Sequence, residues 1–97
     1  MNMRYSGLQV ALLSMLIDAD KEVSLDEIEK SVYRKAHKKK PKNAHQAAAA
    51  LVRSTSGKIE LLKASIHRKT PLGSGNKAVY VLKGRVDLVK SSLEAYQ

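Results

Sequence analysis

Six Lys or Arg and one His fall within nine residues, at Arg34, Lys35, His37, Lys38, Lys39, Lys40 and Lys42. Lysine at this density attracts a polyanion as a set of point charges and adds little discrimination between bases. The run sits mid-chain, between two segments that each carry a helix-start pattern. Ser24-Leu25-Asp26-Glu27 is a capping box, and Asn43-Ala44-His45-Gln46 has the same cap-x-x-acceptor spacing. A helix, a basic turn opened by Pro41 and a short helix of small residues suit the gripping of a phosphate backbone. Nucleic acid is therefore the leading partner.

The second helix carries side chains able to read bases. Gln46 and Asn43 suit bidentate contact with adenine, and Arg53 suits guanine. Each has a competing structural use. Asn43 reads as the helix cap, Gln46 as its capping-box partner, and Arg53 lies near enough to the helix end to reach only phosphate. His37, His45 and His67 are separated by eight and twenty-two positions with no Cys nearby, so no metal site and no cofactor are expected.

Chemistry on a substrate finds little support. None of the thirteen lysines has Asp or Glu two residues before it, so half of a common nuclease core is missing. The Gly-rich loop at Thr70 to Asn76 lacks the Gly-Lys-Ser/Thr ending of a phosphate-binding P-loop. The expectation is a protein that is not an enzyme.

The elements that position these residues follow from periodicity. Residues 6 to 19 read as helix 1, capped by Ser6 and apolar nearly all round: Leu8, Leu12, Met15, Leu16 and Ala19 on one side, Val10, Leu13 and Ile17 on the other. Glu22-Val23 suits a small edge strand. Helix 2 starts after Ser24, turns Leu25, Ile28, Val32 and Ala36 inward, and is expected to end at Lys40-Pro41. Helix 3 runs from about Ala44 to about Ser54, with Ala44, Ala48, Leu51 and Thr55 inside. Its other face presents His45, Gln46, Ala49, Ala50 and Arg53, and Gly57 reads as a left-handed cap. Residues 59 to 69 change to alternation, Ala78 to Leu82 form a second strand, and a loop flanked by Arg68, Lys69 and Lys77 joins them. Val86, Val89, Leu93 and Tyr96 mark a C-terminal amphipathic helix.

Ninety-seven residues suit one domain, residues 1 to 97, with a core of about 6 to 84 and the last helix over about 85 to 97. The longest apolar stretch, within residues 7 to 17, falls short of the roughly 20 residues that cross a bilayer, and no signal peptide is visible. Zero cysteines exclude a disulfide scaffold and fit a cytoplasmic protein, on the nucleoid in a bacterium or in host cytoplasm if phage-encoded. The net charge of +9 is segregated. Six of nine acids lie between residues 18 and 29, whereas from Lys30 onward sixteen Lys or Arg meet only Glu60, Asp87 and Glu94. Segregation gives an oriented field with one pole for a polyanion.

The order helix, small strand, helix, turn, helix, strand, basic loop, strand, helix resembles a winged-helix domain of the helix-turn-helix superfamily. The resemblance covers roughly residues 6 to 84 and rests on that topology and the Gly-rich basic loop. It is similar to the DNA-binding domains of OmpR/PhoB-type regulators and to small winged-helix regulators of phages and plasmids. It implies an α+β winged helix: a three-helix core, an antiparallel hairpin wing and an extra C-terminal helix. In such domains the third helix enters the major groove and the wing touches backbone or minor groove. By position this implicates Asn43, His45, Gln46 and Arg53 on helix 3, and Arg68, Lys69 and Lys77 around the wing.

The function expected is a DNA-binding transcriptional regulator, or an accessory DNA-replication or nucleoid factor. The phosphate contacts expected in the turn are Arg34, Lys35, Lys38, Lys39, Lys40 and Lys42. RNA binding is the first alternative, though only Tyr33 and Tyr80 lie in the basic surroundings that base stacking needs. A protein-interaction winged helix with an acidic partner is the second. A homodimer is expected, with helix 1 and the Val86, Val89, Leu93, Tyr96 stripe pairing across a two-fold axis. The competing reading has these two surfaces covering each other within one monomer.

Overall fold

Helix α1 (Gly7–Asp18) begins on a reciprocal pair of hydrogen bonds. The Gln9 amide N–H donates to Ser6 Oγ (3.1 Å) and the Ser6 N–H donates to Gln9 Oε1 (2.9 Å), a full capping box at a position where only Ser6 was expected to act. The computed structural model describes residues 4–18, 22–69 and 78–96. The expected loop over Thr70 to Asn76, Lys77, Ala19 and the Tyr96 side chain lie outside what it describes. Ala11, Leu12, Leu13 and Leu16 are buried, and Leu8, Val10, Met15 and Ile17 pack half-buried against the same core. The all-round apolar sequence of α1 is thus that of a central helix, touching α2, α3, α4 and the sheet.

Strand β1 (Val23–Ser24) leads directly into α2 (Leu25–Lys35), with Ser24 Oγ accepting the Glu27 N–H at 3.1 Å. Leu25, Ile28 and Val32 are buried, as their spacing requires. The helix stops five residues before the expected Lys40-Pro41. His37 adopts a left-handed φ of 55°; its N–H donates to Arg34 O (3.2 Å) and the Lys38 N–H to Tyr33 O (2.9 Å). That is the Schellman pattern, made with histidine where glycine is usual.

Helix α3 (Ala44–Ile59) runs beyond the expected stop at Ser54 to Gly57. Thr55 and Ile59 are fully buried and extend the inner stripe Ala44, Ala48, Val52, so burial carries the helix through a polar tetrapeptide. Val52 takes the inward place expected of Leu51, which is half-buried. Gly57 lies inside the helix and caps nothing. The chain leaves through a 3-10 turn (Glu60–Leu62) and a left-handed Lys63, φ 58°. Residues 59 to 63, expected to begin the alternating run, are therefore helical or turn.

Strands β2 (Ala64–Arg68) and β3 (Val79–Gly84) pair antiparallel, Ala64 opposite Gly84 and Arg68 opposite Tyr80. β1 pairs with the other edge of β3, giving a three-stranded antiparallel sheet in the order β1-β3-β2. Gly84 is required: its φ is +91°, and a Cβ there would lie 2.4 Å from Lys63 O. Helix α4 (Val86–Tyr96) follows, with Val89 and Leu93 buried. Those two residues, assigned above to a dimer surface, belong to the monomer's own core. The result is an α+β fold of four helices and one small antiparallel sheet among the described residues.

Candidate nucleic-acid interface

The left-handed turn at His37 throws the basic segment outward. Arg34, Lys35, His37, Lys38, Lys39, Lys40 and Lys42 are all exposed. Arg34, Lys35, Lys38, Lys39 and Lys42 form no ion pair among the described residues. Lys40 does: its Nζ lies 3.7 Å from Glu29 Oε1, while Glu29 Oε2 lies 3.9 Å from His45 Nδ1. One carboxylate on α2 thus sits between the basic turn and the first turn of α3. His45 Nδ1 is buried without a hydrogen bond, so the charge of Glu29 is the polar group it faces. Burial, and then the charge of Glu29, raise the Tyr33 phenol above its ordinary 10.0.

The start of α3 differs from its expected form. Asn43 has φ −99° and ψ 46° and makes no side-chain cap hydrogen bond, so the Asn43–Gln46 capping box is not formed. The spacing was right, but the backbone is not in the extended region that aims a cap side chain at the first turn. No acid lies in that turn either. The positive end of the α3 macrodipole therefore emerges beside Lys42 with no acid in its own first turn, Glu29 of α2 being the carboxylate that approaches it through His45.

Asn43, His45, Gln46, Ala49, Ala50 and Arg53 line one shallow concavity along the outer face of α3. Asn43, Gln46, Ala50 and Arg53 are exposed, while His45 and Ala49 are half-buried. Methyl groups between the polar side chains keep this face slim, so the helix axis can come close to a groove floor. Arg53 and His45 also line a second cleft shared with Arg68 on β2, which joins the helix face to the sheet. Lys69 follows Arg68, exposed and paired with Glu22. Lys77 lies outside the described residues.

Other cations have structural duties. Lys58, on the last turn of α3, donates to Arg4 O and to Gln9 Oε1 (3.0 Å) and lies 5.8 Å from the Tyr5 ring centroid. Lys30 pairs with Asp26 at 3.1 Å and Arg85 with Asp87 at 2.9 Å. Among the described residues no group of three His, Cys, Asp or Glu is placed to hold a metal ion, and no helix is long and apolar enough to cross a membrane. The sequence pointed to neither Glu29 nor the cleft, since both depend on how α2, α3 and the sheet come together.

Comparison with protein-family models, with curated proteins and with solved structures found no match for the chain.

Proposed function

We propose that the protein is a non-enzymatic duplex-DNA-binding protein of winged-helix type, acting as a transcriptional regulator or an accessory replication or nucleoid factor. The observation that carries this reading is the continuity of one face. The exposed basic turn passes into an uncapped α3 with no acid in its first turn, then to Gln46 and Arg53, and on to Arg68 across the cleft. The helix, turn, helix and β1-β3-β2 order are those expected of a winged helix. In this reading α3 enters the major groove, the turn holds phosphate, and the strand ends lie along the backbone.

Duplex DNA is favoured over single strands by the aromatic residues. Tyr5, Tyr33 and Tyr80 are buried, each at most 6% exposed, and so supply no stacking platform. Fluorescence anisotropy on duplex DNA across a salt series tests the proposal. With about five phosphate contacts the log–log salt slope should be about −4 to −5. No binding at low salt, or a flat salt response, would overturn it. Tighter binding to structured RNA would favour the RNA-binding form of the same fold. Gln46→Ala and Arg53→Ala should each cost about 1–3 kcal/mol on a preferred site and little on random DNA. Equal losses on both would mean that α3 reads no sequence.

Dimerisation is part of the proposal only through the half-buried Leu8, Val10, Met15 and Ile17 of α1, because the rest of α1's apolar surface and Val89 and Leu93 are used inside the monomer. Sedimentation equilibrium giving a single species near 10.7 kDa, with one protomer per bound DNA, would remove it.

A further inference from the structure

The cleft between α3 and the sheet has a volume of about 550 Å³, within the range of roughly 300–1,000 Å³ typical of small-molecule sites. Its lining is divided. Leu25, Val52, Ile66, Ala78 and Tyr80, all buried core residues, contribute apolar surface. Arg53, Arg68 and His45 stand around it, with Glu60 the one carboxylate among the described lining residues.

Three features of α3 keep this volume free. Ala49 presents only a methyl group to it. Ser56, a small residue of the lining, has its Oγ engaged in accepting the Ile66 N–H at 3.0 Å, which fixes α3 to β2. Gly57 is a mid-helix glycine whose added Cβ would meet nothing within 4 Å. Glycine there costs roughly 1 kcal/mol against alanine, with no close backbone approach to account for it. A larger residue at 49 or 57 would stand in or beside the cleft.

We infer that this cleft binds a compact amphipathic organic anion, an aromatic carboxylate whose ring lies on the Val52, Ile66 and Tyr80 surface and whose charge meets Arg53. The apolar lining gives an organic ring a surface that a bare inorganic anion would not use, and the Arg53 and Arg68 guanidinium groups disfavour a cationic ring. Arg53 is exposed and forms no ion pair among the described residues, and guanidinium matches carboxylate in a two-pronged geometry. Because His45 and Arg53 also line the outer face of α3, occupancy of the cleft competes with DNA. That consequence rests on the proposed DNA binding; the binding of the anion does not.

The test is an amide NMR titration of the full chain with benzoate, with benzamide and inorganic phosphate as controls. Benzoate should give saturable shifts at Ala49, Val52, Ile66 and Ala78, half-complete at about 1 mM or below for a ligand of this size. Benzamide should bind at least about fivefold more weakly, and phosphate should leave these amides unmoved. Arg53→Gln should bring benzoate affinity down to that of benzamide without altering benzamide binding. Ala49→Leu should lower both by about tenfold or more, by filling the space. Arg53→Gln changes an exposed side chain, so it decides the matter if Ala49→Leu disturbs the fold. Shifts confined to Lys38 to Lys42, equal binding of benzamide, or no saturation by about 20 mM would each overturn the inference. Saturating benzoate should also weaken duplex binding relative to sodium chloride at equal ionic strength. Benzoate binding in a chain that binds no DNA would sink the proposed function and leave the cleft standing.

Discussion

Helices α2 and α3 flank the same turn, yet their ends are finished in opposite ways. α2 is closed by its own residues. Ser24 caps its first turn, Asp26 and Glu27 sit at its positive end, Arg34 and Lys35 at its negative end, and the His37 turn takes up its last carbonyls. α3 begins with an Asn43 that makes no cap bond, no acid in its first turn, and Lys42 just before it. A helix closed on itself is a support, whereas one left open at its positive end has hydrogen-bonding capacity and charge for something outside the chain. In the proposed reading the difference makes α2 a support and leaves the turn with α3 for binding.

The largest effect should come from stripping the turn. Lys38→Ala, Lys39→Ala and Lys40→Ala together should lower duplex affinity by about tenfold to a hundredfold at low salt and reduce the salt slope by about 2 to 3. Loss should be alike on preferred and random DNA. Stability should hold, because all three side chains are exposed and only Lys40 is paired. Parallel anisotropy and thermal melts check this; a collapse of the melting temperature would put the lysines in the fold instead.

Next, the two caps should part company. Ser24→Ala should cost about 1 kcal/mol in urea denaturation and leave DNA affinity alone, whereas Asn43→Ala should stay within about 0.5 kcal/mol because no cap bond is lost. Equal destabilisation by the two would erase the contrast between the helices.

His37→Gly should stabilise the chain by about 0.5–1 kcal/mol. It relieves a left-handed non-glycine residue at the α2 terminus, less the added freedom of the unfolded chain. Destabilisation would mean that the imidazole makes a contribution the backbone geometry does not reveal.

These contrasts also mark what was legible in the sequence. Ser24 and the Leu25, Ile28, Val32 stripe announced α2, and Ala64 and Ile66 announced β2, because local spacing and burial agree there. His37 gave no sign of ending a helix, since a left-handed residue other than glycine carries no compositional mark. Ser54 to Gly57 read as the end of the helix because the pull of buried Ile59 beyond them is a tertiary effect. Asn43 and Gln46 had the spacing of a box and lacked the backbone angles for it. At the site, the basic turn and the outer face of α3 were readable because each lies within one short segment. The cleft draws on Leu25, Arg53, Ile66 and Tyr80, which only the assembled fold makes neighbours.

The smallest expected effect is at Glu29, where α2 reaches across to the proposed binding face. Its side chain is mostly buried, with Lys40 and His45 at 3.7 and 3.9 Å. Pairs this long, with half-exposed partners, add little to stability, so Glu29→Gln should change unfolding by less than about 0.5 kcal/mol. Its charge nevertheless stands where phosphate is expected, neutralising part of Lys40 and repelling the backbone. Glu29→Gln should therefore raise duplex affinity by about threefold and steepen the salt slope by about one. It should also lower the Tyr33 ionisation, because the charge of Glu29 is one of the two causes that raise it. The Tyr33 phenol is held above its unfolded value, so its stabilising contribution is present below pH 10.0 and is lost as pH rises beyond it. In Glu29→Gln the folded value moves toward the unfolded one, so that alkaline loss should be smaller, while the tyrosinate absorbance rise of the folded chain should come at lower pH. A fall in DNA affinity with unchanged stability would reverse the assignment, making Glu29 a clamp that holds Lys40 and His45 in register for the duplex.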